Sequence, residues 1–235
     1  MQPYFYSYLL VVQDESVTTA GHVTQTFSFT STVTSIAISF FIKYTAHYKY
    51  FVTLGSLIYT MGLGLMIRYR SQGVSVGQII GTQIAVGIGG GMLNVPTQLG
   101  VQASTDHQHV AVVTAVYLTS VEVGGAVGSA ISGAIWGNSI PRKLTEYLPE
   151  GSKDQATTIY NSIDVARSYA MGSAERIAIN RAYQETMTSL LTVAVCVSIP
   201  CILASLVMKN YRLDLVQQNK GTVIGGKVKE DVVNL

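Results

Sequence analysis

Glu122 is the side chain best placed to do chemistry, because it stands in Thr119-Ser-Val-Glu-Val-Gly-Gly with only apolar and small residues around it. An ionisable group at the centre of such a membrane-type segment costs roughly 2.5–3.5 kcal/mol by insertion measurements. Something must offset that cost. Either the carboxyl takes up and releases a proton, as proton-coupled transport requires, or it bonds to a neighbouring helix. Upstream, Asn94, Gln98 and Gln102 recur at a spacing of four, which puts three amides on one helix face. That row either lines a path for a polar solute or hydrogen-bonds to adjacent helices. Asp106-His107-Gln-His109 offers metal-ligand types, but they crowd into one short connection without a partner cluster, so a solvated loop and no metal are expected. The sequence carries no phosphate loop, nucleophile elbow, His-Glu-x-x-His or paired-cysteine zinc spacing. No catalytic set and no cofactor are expected.

The elements that must hold these residues are marked by the charges. No Asp, Glu, Lys or Arg lies between Arg70 and Asp106, and the same holds from Ser16 to Ile42, Tyr50 to Ile67 and Thr186 to Met208. A helix needs about 20 apolar residues to cross a ~30 Å hydrocarbon layer. Charged residues are 12% of the chain, against roughly 25% in soluble domains, and 48% are hydrophobic. The fold expected is all-α, a polytopic membrane bundle spanning residues 1–212, in contact with the lipid bilayer. Five full spans are placed near 23–42, 51–67, 75–100, 110–136 and 187–208, with a partial one at 4–12 and a tail at 213–235. The net charge of +2 is scattered, which argues against nucleic-acid binding. Cys196 and Cys201 fall inside the last apolar run as packing residues.

Within the spans, glycine is arranged rather than scattered. Gly77, Gly81, Ala85 and Gly89 form a stripe at a spacing of four, as do Gly125, Ser129, Gly133 and Gly137, with Gly124, Gly128 and Ser132 alongside. Such small-residue faces let helix backbones approach closely, for static packing or for sliding. Gly89-Gly90-Gly91 precedes Pro96, where a missing backbone donor favours a kink. The Ser- and Thr-rich run from His22 to Ile42 suits a span facing other helices or a wet cavity.

Residues 138–185 form the longest polar stretch, a gate or a surface-packing element. Ser152 with Gln155 matches a capping box, and Ser173-Ala-Glu-Arg reads as a helix start leading into the last span. Lys and Arg counts nearly tie between the two sides. Lys209, Arg212 and Lys220 tip the C-terminus toward the cytoplasm.

Several runs together resemble the fungal siderophore iron transporter family of the major facilitator superfamily. They are Gly87-Ile-Gly-Gly-Gly-Met-Leu-Asn-Val-Pro, Gly100-Val-Gln-Ala-Ser, Val121-Glu-Val-Gly-Gly-Ala-Val-Gly-Ser-Ala-Ile-Ser-Gly-Ala-Ile-Trp, Tyr147-Leu-Pro-Glu, Arg181-Ala-Tyr-Gln-Glu-Thr-Met and Lys209-Asn-Tyr-Arg-Leu-Asp. The resemblance implies a carrier of the plasma membrane or of an endosomal or vacuolar membrane, importing ferric siderophores with protons. It also implies a cytoplasmic C-terminus, with residues 138–185 extracellular or lumenal. In that frame Glu122 is the proton-coupling candidate and Asn94, Gln98, Gln102 and Tyr117 are the cavity candidates. Gly89, Gly90, Gly91, Pro96, Gly125, Ser129 and Gly133 are the packing or hinge candidates. Only the C-terminal half of such a carrier is matched, so a fragment that needs an N-terminal half is expected. The alternatives are a drug/proton antiporter of the same superfamily and a non-transporting membrane interaction protein; a membrane enzyme is the remaining class.

Overall fold

The computed structural model describes residues 2–211 and 213, and the tail expected over 213–235 lies, apart from Leu213, outside the described residues. Eight α-helices follow in order: α1 (Gln2–Val11), α2 (Val17–Thr45), α3 (Lys49–Tyr69), α4 (Val76–Ala103), α5 (Val110–Tyr147), α6 (Ala156–Asn161), α7 (Ile163–Ser168) and α8 (Ala174–Val207). Short 3-10 turns at His107–His109 and Glu150–Gln155 join them. Among the described residues four helices, α3, α4, α5 and α8, are long and apolar enough to cross a membrane. The sequence suggested five. At 29 residues α2 has the length, but its Ser and Thr content keeps it below that apolarity, while α1 has only 10 residues.

Local signals set the helix starts. Ser16, Ser75, Ser162 and Ser173 each sit in extended backbone and accept a hydrogen bond from the amide three residues on, which satisfies one of the free donors of a first turn. Hydroxyls inside α2 turn back on their own helix, as when Thr32 donates to the Ser28 carbonyl at 2.9 Å.

Packing centres on α4, which lies against α3 on one side and α2 on the other. A Cβ on Gly89 would fall 2.4 Å from the Tyr59 amide nitrogen, and one on Gly91 would fall 2.5 Å from the Ser31 carbonyl oxygen. Gly55 and Gly62 answer from α3, where a Cβ would meet Met92 and Val86, each at 2.7 Å. Missing side chains therefore bring three backbones together. Ser35 Oγ donates to the Gly91 carbonyl at 3.1 Å across the α2–α4 contact. α4 runs unbroken through Pro96. On α3 and α8, Thr60 donates to Ser198 at 3.0 Å, and Ser56 lies 3.4 Å from Ser205.

The outer surface is inverted relative to a soluble protein. Phe29, Ile36, Phe40 and Phe41 on α2, Leu54 and Met61 on α3, and Leu203 and Val207 on α8 are all exposed. So extensive an apolar exterior marks a surface made for lipid or partner protein.

The polar stretch expected over 138–185 is shorter and more helical than its composition suggests. α5 continues through Pro141 to Tyr147 because Ile140 and Leu144 are fully buried, and α8 starts at Ala174 under the Ser173 cap. Ser152 does not cap. Its hydroxyl donates to Glu175 Oε1 at 3.2 Å instead.

Candidate functional site

The amide row of α4 ends at Gln102, where α4 meets the start of α5. Gln102 Nε2 donates to Thr114 Oγ1 at 3.1 Å, linking the two helices. Gln98, one turn earlier on α4, is half-buried, and so is Tyr117, one turn past Thr114; Asn94 is exposed. Gln102 and Tyr117 therefore share one locality. Glu122 lies further along α5, where every residue from Leu118 to Ile131 is exposed.

That exposed stretch carries the first part of the second glycine stripe, Gly124, Gly125, Gly128 and Ser129. Gly124, Gly125 and Gly128 meet no atom within 4 Å of an added Cβ, whereas at Gly133 the Tyr4 hydroxyl would lie at 3.2 Å. A groove of about 590 Å³ separates these glycines from α8, with Ser129, Leu190, Val193 and Val197 on its walls. On α4, Gly90 has only ordinary contact, 3.5 Å to the Phe27 ring, while Gly89 and Gly91 are tightly packed.

A second groove, of about 650 Å³, runs between α1 and α2 beside Tyr6, Ser7, Thr18, His22, Thr24 and Gln25. This one is the more polar. His22 opens the Ser- and Thr-rich run of α2. The signal was present, since Thr18, His22 and Gln25 recur at helical spacing, but nothing in the sequence showed that α1 would leave that face of α2 open.

At one end of the bundle a dense polar assembly locks the connections in place. Glu185 on α8 accepts from Lys143 Nζ at 3.0 Å, the Tyr147 hydroxyl at 2.8 Å and Arg181 Nε at 3.0 Å, while the Arg181 guanidinium lies 4.3 Å from the Tyr147 ring centroid. One carboxylate thus ties the last turns of α5 to α8. Arg176, 1% exposed, donates to the carbonyls of Ala166 at 2.8 Å and Val11 at 2.6 Å, and reaches Asp14 at 3.4 Å. It pins α7 and the end of α1 to α8. Tyr8 donates to Gln184 Oε1 at 2.7 Å, and Gln184 donates in turn to the Arg70 carbonyl. Sequence reasoning identified none of these as site residues, because their partners are as far as 176 positions away. At the opposite end, Tyr48 donates to the Lys209 carbonyl at 2.7 Å, and Lys49 donates to the Leu206 carbonyl at 2.8 Å.

Long apolar helices, glycine-mediated contacts and an apolar exterior define an integral membrane helix bundle. By sequence the chain is similar to fungal siderophore iron transporters of the major facilitator superfamily. It is 56% identical over 93% of its length to siderophore iron transporter mirC of Emericella nidulans. It is 55% identical over 93% of its length to MFS siderochrome iron transporter C of Aspergillus fumigatus, and 41% identical over 81% to siderophore iron transporter 1 of Schizosaccharomyces pombe. The chain spans 36% of the length of each of the first two and 31% of the third. No family model matches it, and no solved structure gives a significant match.

Proposed function

We propose that this chain works as one half of a ferric-siderophore/proton symporter, in the plasma membrane or an endosomal or vacuolar membrane, beside a complementary N-terminal half bundle. The observation that carries the reading is α5, whose stretch from Leu118 to Ile131 is wholly exposed yet holds a carboxylate and several glycines. Lipid is a poor neighbour for Glu122, and glycines facing open space are the raw material of a close helix contact. A second bundle seated on α5 answers both, and it places Glu122 at a seam between halves, where a proton site can couple to rocking. The names of the relatives supply the cargo: they are siderophore iron transporters. Asn94, Gln98, Gln102 and Tyr117 are the polar groups offered to it, with the α1–α2 groove as a further approach.

The test is uptake of iron-labelled siderophore by transport-null cells expressing the chain alone and with an N-terminal half, with and without a proton gradient. Uptake is expected only with the partner, and only while the gradient lasts. Replacing Glu122 by Gln should leave cargo exchange intact and abolish gradient-driven accumulation. Stable insertion of both halves without uptake would refute the proposal, and drug efflux in its place would assign the chain to antiport.

A further inference from the structure

Arg70 follows the last turn of α3, yet its side chain turns inward and is only 3% exposed. Its guanidinium carbon lies 3.7 Å from the Phe5 ring centroid, and one terminal nitrogen is 3.7 Å from the Met187 sulfur, a weak acceptor. Among the described residues no ion pair involves Arg70, and its Nε has no partner. Burial lowers its pKa to about 9, so it remains a cation at neutral pH. Gln83 on α4 is 2% exposed, and its Nε2 likewise has no partner. Arg70 and Gln83 line one cavity of about 190 Å³, walled by Phe5, Phe27, Tyr59 and Met66.

A buried cation without a counter-charge costs several kcal/mol, and each unsatisfied buried donor adds roughly 1–3 kcal/mol. Two unmatched donors, one just past α3 and one on α4, lining the same space call for acceptors between them. A carboxylate supplies two in one plane, the geometry that an arginine edge matches best. The volume of about 190 Å³ is below the roughly 300–1,000 Å³ of pockets for drug-sized ligands, which suits an acid of a few carbons and excludes a chelated iron complex. We propose that this cavity is a binding site for a small monocarboxylate, gripped by Arg70 and Gln83, separate from the cargo path and bracing α1 against α3 and α4.

The inference does not rest on the transport reading and is tested on the full chain in detergent. Thermal unfolding is followed by aromatic fluorescence while acetate replaces chloride at constant ionic strength. Acetate should raise Tm saturably, by a few degrees at high occupancy. Gln83→Leu removes an unpaired donor, so it should fold with an unchanged or higher Tm and lose the acetate increment; Arg70→Lys should lose it as well. A flat acetate response in the native chain, as from a cavity holding only water, would overturn the assignment. So would an increment that survives in Gln83→Leu, or an equal one from chloride over a low-salt reference.

Discussion

Replacing Gly89 by alanine adds one methyl group where the structure has no room for it. The new Cβ would stand 2.4 Å from the Tyr59 amide nitrogen and 2.6 Å from its Cα, so a backbone, not a side-chain tip, must move. Overpacking of that kind costs about 1–3 kcal/mol, a factor of roughly 5 to 150 in the unfolding equilibrium. Gly81, two turns earlier on the same helix, meets nothing within 4 Å. Alanine there gains up to about 1 kcal/mol from helix propensity and has nothing to displace. The pair of variants separates helix composition from helix contact, since both make the same substitution in α4. The assay is the detergent-solubilised chain heated in steps, with the surviving folded fraction read by fluorescence-detected size exclusion. Gly89→Ala should melt below the native chain and Gly81→Ala at or above it. Equal melting of the two variants would refute the claim that α3 and α4 meet backbone to backbone at Gly89.

Other variants probe the remaining contacts. Ser173→Ala removes the hydroxyl that accepts from the Arg176 amide and should cost about 1 kcal/mol, read as faster amide exchange in the first turn of α8. Glu185→Gln deletes the carboxylate shared by Lys143, Tyr147 and Arg181; exchange should rise over Lys143–Tyr147 with no change at the Tyr48 end. Tyr48→Phe frees the Lys209 carbonyl and the Tyr211 amide, so protease cleavage after Lys209 should accelerate. Gln102→Leu cuts the bond to Thr114 and should raise cysteine labelling at position 117 in a Tyr117→Cys background.

Much of the architecture was written in the placement of charge. The charge-free run 71–105 holds α4 (Val76–Ala103), and Ser173 announced the start of α8 because a cap is a local device. Which face of a helix meets which neighbour is not local. The spacing of four singled out Gly77, Gly81, Ala85 and Gly89, yet Gly81 faces open space, while Gly87, outside that stripe, has a Cβ position 2.7 Å from Thr30. Both patterns are equally periodic. Only the positions of α2 and α3 distinguish them. Arg70 was invisible for the same reason, since an arginine after an apolar run reads as a boundary charge. Its burial is created by Phe5 and Met187, 65 positions before it and 117 after it.

The two glycine-rich helices consequently answer different questions. In α4, Gly87 and Gly91 are met by α2 and Gly89 by α3, so these three positions are explained within the chain. In α5, Gly124, Gly125 and Gly128 have no counterpart within 4 Å among the described residues, and the helix adds a carboxylate that the bilayer disfavours. If α5 faced only lipid, replacing Gly124, Gly125 and Gly128 together by leucine would cost nothing in folding and improve the fit to the hydrocarbon. If α5 is the seat of a second bundle, the triple variant should fold and insert as well as the native chain but fail to assemble with an N-terminal half. Co-purification of the tagged halves decides between them, and retained assembly would leave the α5 glycines without a role in joining the halves.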